Sequence, residues 1–470
     1  MLLKYYKILL QLLRVGFGIY ILYYYGFYGL VFMLISLYSF YYLLKVKFGL
    51  HTLSSGDYLF VDWRKYNMVH VTEFETFDKE KISQDIYDKG IKVFPRLRQK
   101  LHFMYVDWFF KDVPLEEAKK QIKIINDVKI KTDYDITQYG NKMAQKYFKE
   151  GEIQVEFQLI EKEGGGGLLF IIFDHVITDG TGMLGILGSI TSNKEKNLES
   201  QAFSISWSIW LYSLVWFPVF FFHCCFRHIY TIPSISKPSA FKSDKEFTDI
   251  ALFAKTRNFN LDKAKIFIKS LGKGFTFNDF VLAVISVSIQ KYHKSINKYT
   301  DNEYYTCAVP VNTKSIPKNI RETRLENEAS GVLATIPISD SINADLLKSI
   351  HLEMAKTAKD IRYIYTVKYI NFFCSTVTPK FVWDMILMKT LNSLDINISN
   401  VPGPSFSGYV GDCKVLQAFV VPPIGAHKVF MGAQSYKGDF CLTFRCDTSI
   451  ECEPNKFIQI MEDVIENYIK

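Results

Sequence analysis

The chain has 470 residues, of which 49% are hydrophobic and 22% charged, with a formal net charge of +8. That balance supports a packed core and excludes wholesale disorder, and the length suits two or three ordinary domains or one large two-lobed enzyme. No dense Lys/Arg run carries the positive charge, and no zinc-finger spacing or RNA-binding signature accompanies it. Nucleic acid is therefore a weaker partner class than an anionic membrane surface or a phosphorylated substrate.

The first element is the stretch from Val15 to Leu44, which contains no charged residue and is flanked by Lys4, Lys7, Arg14, Lys45 and Lys47. About 20 apolar residues cross a bilayer, so residues 1–48 read as a transmembrane anchor, either one tilted helix or a tight re-entrant hairpin. The near balance of basic residues on its two sides leaves the orientation open.

Residues 49–200 read as a first lobe. Val69 to Phe77 alternates like a strand, and residues 115–127 and 138–149 pattern as helices. Ile153 to Ile160 alternates as a second strand. The four glycines Gly164 to Gly167 then make a turn into the wholly apolar run Leu168 to Phe173, a strand buried on both faces. The glycine run lacks the Lys-Ser/Thr of a phosphate loop and precedes a strand, so it reads as a hairpin turn rather than a cradle.

Residues 201–236 form a second apolar segment containing Trp207, Trp210, Trp216, Pro218 and Phe220 to Phe222. Its tryptophans suit the headgroup region, which favours an interfacial or re-entrant insertion over a crossing. Residues 237–470 read as a second lobe. Leu261 to Leu271 patterns as a helix, and Thr276 caps another that reaches His293, with Asp279 near its positive end. Strands follow at Tyr305 to Val309 and Gly331 to Ile336, then a helix over 343–362, a strand-rich tail from Asn397 to Asp447, and a last helix from Pro454 to Tyr468. Eight scattered cysteines include no Cys-x-x-Cys pair and read as reduced thiols, with no metal site.

The residues most suggestive of chemistry are Asp174-His175-Val176-Ile177-Thr178-Asp179-Gly180, at the exit of the buried strand. An imidazole that is neutral near pH 7 suits removal of a hydroxyl proton. The carboxylate of Asp179 reads as a lock on the turn, through a buried Arg or through backbone amides, and Gly180 as the residue that permits the turn. Asn278 and Asn400 read from the residues alone as a helix-start and a turn residue.

This motif resembles the His-His-x-x-x-Asp-Gly signature of the superfamily of chloramphenicol acetyltransferase and peptide-synthetase condensation domains, and more closely the wax ester synthase/diacylglycerol acyltransferase family. Supporting stretches run in family order: Phe94-Pro95-Arg96-Leu97-Arg98, Phe277-Asn278-Asp279, Val309-Pro310-Val311-Asn312, Ser399-Asn400-Val401-Pro402-Gly403-Pro404, and Ser435-Tyr436 with Gly438. The resemblance covers roughly residues 55–468. It departs from the family at Asp174, where the signature has its first His. It implies a two-lobed α/β chloramphenicol acetyltransferase-like fold in which His175 is the general base, supported by Asp174, Asp179 and Gly180. Asn278, Asp279, Asn400, Pro402 and Gly403 would border a tunnel between the lobes. The implied reaction is direct transfer from acyl-CoA, a substrate rather than a cofactor, to a lipid alcohol, giving wax ester, triacylglycerol or both. The implied setting is the endoplasmic reticulum membrane with a cytosolic catalytic body and no metal. The rival readings are an inactive lipid-binding protein of the same fold, suggested by Asp174, and a transferase acting on carrier-bound acceptors.

Overall fold

The computed structural model describes residues 2–61, 67–104, 107–192, 207–248, 250–314, 317, 319–376, 390–424 and 427–469. Helix α1 (Leu2–Phe48) is interrupted at Gly26, whose φ of 60° and ψ of −155° lie outside any helix. A Cβ built on Gly29 would sit 3.3 Å from the Ile21 side chain. Eight residues of straight helix would separate these two by about 12 Å. The chain therefore doubles back at Gly26. Among the described residues no helix is long and apolar enough to cross a membrane, which corrects the reading of residues 1–48 as one tilted transmembrane helix. The physical reasons are the break at Gly26 and the dilution of the run by tyrosine phenols at Tyr20, Tyr23, Tyr24, Tyr25 and Tyr28.

The chain continues through β1 (Leu50–Thr52), β2 (Asn67–Phe74), α2 (Lys79–Asp85), β3 (Gln99–Met104), β4 (Asp107–Asp112) and α3 (Leu115–Lys119). Next come β5 (Ile122–Ile125), α4 (Asp133–Ala144), β6 (Val155–Glu161), β7 (Gly167–Asp174) and α5 (Gly180–Ile190). Strands β1, β4 and β3 make a small sheet, where Leu44, Leu50 and Phe109 seat the end of α1. The helix expected over 115–127 ends at Lys119, because Ile122 to Ile125 pair in parallel with β6. Helix α4 starts five residues before the expected 138, at a capping box between Thr132 and Asp135.

The second half runs α6 (Trp207–Phe226), α7 (Ile232–Ile235), β8 (Ala251–Lys255), β9 (Phe259–Asn260), α8 (Leu261–Leu271), α9 (Phe277–Ser295), β10 (Tyr304–Asn312), β11 (Ala329–Pro337), α10 (Ala344–Lys356) and α11 (Ile361–Thr376). It closes with β12 (Ile396–Val401), β13 (Tyr409–Val410), β14 (Cys413–Val421), β15 (Val429–Tyr436), β16 (Asp439–Asp447) and α12 (Pro454–Tyr468). Where one helix was expected over 343–362 there are two, broken at Thr357 to Asp360.

Two large sheets carry the body. The first has the order β13-β14-β2-β7-β6-β5 and the second β11-β10-β12-β15-β16-β8, with β9 paired to β16. Strands β13 and β14 belong by chain position to the second half but pair into the first sheet beside β2. The two lobes are thus not two consecutive stretches of chain.

Of the apolar insertion, residues 201–206 lie outside the described residues. Helix α6 lies antiparallel to α11: the Phe217 and Tyr369 rings are 5.6 Å apart, and the Arg362 guanidinium sits 4.7 Å from the Phe220 ring. At its end Arg227 donates to the Leu333 carbonyl and pairs with Glu353, anchoring α6 to the second lobe. Its outer face stays exposed at Val215, Val219 and Phe222.

Candidate active site

Strand β7 lies at the centre of the first sheet, flanked by β2 and β6, and is buried along its length until Asp174. The chain turns sharply through His175 to Thr178, and Asp179 caps α5. One Asp179 oxygen accepts from the Gly182 amide at 2.9 Å and from the Lys314 ammonium at 3.1 Å, and the other accepts from the Glu328 amide at 3.0 Å. The cation anticipated as an arginine is a lysine, and both suggested modes of locking act together. Lys314 is 1% exposed, and its other donors reach the carbonyls of Arg324 and Glu326. Three donors meet three acceptors, so the buried charge is fully satisfied.

Residues 319–328 of the second lobe lie across α5 because three glycines leave room. A Cβ on Gly182, Gly185 or Gly188 would meet Leu325, Thr323 and Ile320 at 3.2, 2.8 and 2.4 Å. Spaced three apart on a helix, these glycines share one face. A Cβ on Gly180 would lie 3.2 Å from Val401, so the start of α5 also touches the end of β12, just before the loop that follows it. That loop approaches β15 closely: a Cβ on Gly403 would fall 2.0 Å from the Ser435 carbonyl oxygen. Thus Gly180 lies against Val401, within the Asn400-to-Gly403 segment. Pro402 is exposed in this loop and Asn400 half-buried.

Asn278 and Asp279 lie elsewhere in the fold's contacts. Asp279 completes a capping box with Thr276 and bonds His351 of α10 at 2.9 Å, and no described hydrogen bond joins it to the His175 turn. A cleft of about 130 Å³ opens between β14 and the β15–β16 hairpin, where Gln417, Gln434 and Tyr436 are among its walls, and His175 is not. Among the described residues no group of three His, Cys, Asp or Glu side chains could hold a metal ion.

His175 is half-buried, with its ring stacked on Phe60 at 3.9 Å and its Nδ1 3.0 Å from the Asn327 side-chain oxygen. Burial pushes its pKa down to about 4, against the opposing pull of Asp179 and Asp57. Asp174 does not share in that pull. Its carboxylate turns back to accept from the Val176 amide at 2.8 Å, and burial raises its own pKa to about 7. Lys314, Asn327, Asp57 and Phe60 were not singled out from the sequence. For Lys314 the signal was available, a cation two residues past the Val-Pro-Val-Asn strand.

Residues 325–468 match the sequence profile of the WS/DGAT C-terminal domain. The matched stretch begins two residues before Asn327, so Asn327 and the 400–403 loop fall inside it and His175 falls outside it. No curated protein matches the chain significantly. Among solved structures, the wax ester synthase/diacylglycerol acyltransferase from Marinobacter aquaeolei VT8 superposes with a TM-score of 0.61 at 14% identity, over 89% of this chain and 98% of that one. A trichothecene 15-O-acetyltransferase from Fusarium sporotrichioides gives 0.63 at 9% identity, over 89% and 95%. A starter condensation domain of rhizomide synthetase, solved with C8-CoA and Leu-SNAC, gives 0.58 at 10% identity, over 90% and 95%. At these identities the likeness concerns the fold, which is the two-lobed α/β fold of condensation domains and WS/DGAT enzymes.

Proposed function

We propose that the protein is an acyl-CoA-dependent O-acyltransferase that esterifies a lipid alcohol, a long-chain fatty alcohol or diacylglycerol, with His175 as the general base. The observation that carries this reading is His175 itself, at the mouth of a buried strand, held from the second lobe by Asn327 and kept neutral by its surroundings. The acceptor hydroxyl would pass its proton to the imidazole as its oxygen attacks the thioester carbonyl. The tetrahedral intermediate would then expel the coenzyme A thiolate, which takes up that proton, so that ester and free thiol leave together. Both substrates would be bound at once, and the reaction needs no covalent acyl-enzyme.

The exposed apolar residues of α1 and α6 support attachment at a membrane, with the helices lying in or dipping into the headgroup region of the endoplasmic reticulum from the cytosolic side. Phe60 links this surface to the site. It stacks on His175 and packs against a cluster of Ile232, at the start of α7, with Leu333, Leu391 and Leu394. A hydrophobic acceptor arriving from lipid would meet apolar side chains before the base. The test is His175→Ala, expected to cost roughly 10²–10⁴-fold in turnover with little loss of fold. Wild-type turnover in the folded variant would refute the role.

A further inference from the structure

The Asn327 amide meets three groups. Its nitrogen lies 2.9 Å from an Asp57 carboxylate oxygen and 2.8 Å from the His175 carbonyl oxygen, and its oxygen lies 3.0 Å from His175 Nδ1. The first two are acceptors only, so the amide can be oriented in one way. Reversing it would set oxygen against oxygen twice. With its oxygen fixed toward the ring, the Nδ1 it faces must carry the hydrogen. We infer that Asn327 is the positioning residue of His175, holding the ring proton on Nδ1 and thereby placing the basic lone pair on Nε2. The inference gives Asn327 its purpose only if His175 is the base proposed above, and it adds the choice of which nitrogen acts.

The orientation is fixed from behind. Asp57 is wholly buried and accepts from the Asn327 backbone amide at 2.9 Å with the same oxygen that takes the side chain. Its other oxygen accepts from the Ser54 amide at 2.9 Å and from Arg96 at 3.3 Å, and the Arg96 guanidinium lies 3.9 Å from the Phe110 ring. Gly56 is what allows this approach, since a Cβ there would fall 1.8 Å from the Asn327 carbonyl oxygen. A residue from each half of the chain is thus needed before the ring can be set: Asp57 ahead of the first sheet, and Asn327 at the start of the matched domain. Imidazole tautomers are close in energy in water, so one hydrogen bond at Nδ1 is enough to bias the population.

The experiment is ¹⁵N NMR of the full-length protein labelled at histidine, with a His175→Gln sample to identify the His175 resonances, recorded near pH 7. The expected wild-type signal is a protonated Nδ1 and an unprotonated Nε2. A His175 resonance with its hydrogen on Nε2 would overturn the inference outright. Asn327→Leu, which keeps the volume and removes the acceptor, should mix the two tautomers and lower kcat by about 10²-fold, leaving KM for acyl-CoA within about twofold. A folded Asn327→Leu protein with wild-type kcat and an unmixed Nδ1–H signal would also overturn it. Should that variant fail to fold, the wild-type spectrum decides alone. The tautomer is read without substrate, so a protein with no transferase activity would sink the proposed function and leave this assignment standing.

Discussion

His175 and Asp174 are half-buried neighbours in sequence with opposite titration behaviour, because desolvation disfavours the charged form of each, a cation in one and an anion in the other. For His175 the folded pKa of about 4 lies below the ordinary value of 6.5. Its contribution to stability is therefore full above pH 6.5 and is lost as pH falls toward 4, because the unfolded chain binds the proton first. Activity should follow the same group: turnover should hold through pH 6 and fall only as pH approaches 4, whereas an unperturbed imidazole would halve the rate near 6.5. A pH profile of kcat/KM, which reports the groups of the free enzyme, checks this. For Asp174 the folded pKa of about 7 lies above the ordinary 3.8, so stability is lost as pH rises through 7. Asp174→Asn retains an oxygen for the Val176 amide and should melt higher than wild type at pH 8 but not at pH 4.

The His175 turn is held by elements far apart in sequence, and the strength of that hold can be measured. Lys314 and Asp179 are both buried, so Lys314→Met leaves a carboxylate without its cation and should destabilise by about 3–5 kcal/mol in denaturant melts. Asp179→Asn in the same chain should recover part of that loss, because the stranded charge is gone. The glycine face of α5 is a second hold. Gly185→Leu would force a side chain into Thr323 and should cost about 1–3 kcal/mol while loosening residues 319–328 from the helix. These elements also mark what sequence could and could not disclose. The β6–β7 hairpin, the Thr276 cap and the Pro454–Tyr468 helix rest on local signals within a few residues, and all three were legible. Strand β5 was misread as helix because its pairing with β6, more than 30 residues on, outweighs its local pattern. The His175–Asn327 and Asp57–Asn327 bonds span 152 and 270 residues and have no local signature at all. The histidine proposed as the base was visible as a motif, and the residues that contact it from the second lobe were not.

At the scale of the molecule, β14 of the second half is hydrogen-bonded to β2 of the first, so both halves must lie on the same side of any membrane. The apolar segments can attach the body but cannot divide it. Val215, Val219 and Phe222 share one exposed face of α6, at 68, 59 and 72%. Replacing all three with serine should weaken co-sedimentation with phospholipid vesicles by about tenfold or more, because each buried apolar side chain contributes about 1.5–3 kcal/mol. Undiminished binding would mean that this face is not a lipid contact. The proposed reaction joins these scales, since it needs a soluble thioester, a lipid alcohol and His175 in one place. The most direct measurement is to incubate the purified protein with radiolabelled long-chain acyl-CoA and, separately, a fatty alcohol or diacylglycerol, and to resolve the lipid products while counting released thiol. Labelled wax ester or triacylglycerol, formed one for one with free coenzyme A and lost in His175→Ala, is the expected result. Release of labelled free fatty acid alone, or ester formation undiminished in folded His175→Ala, would contradict it.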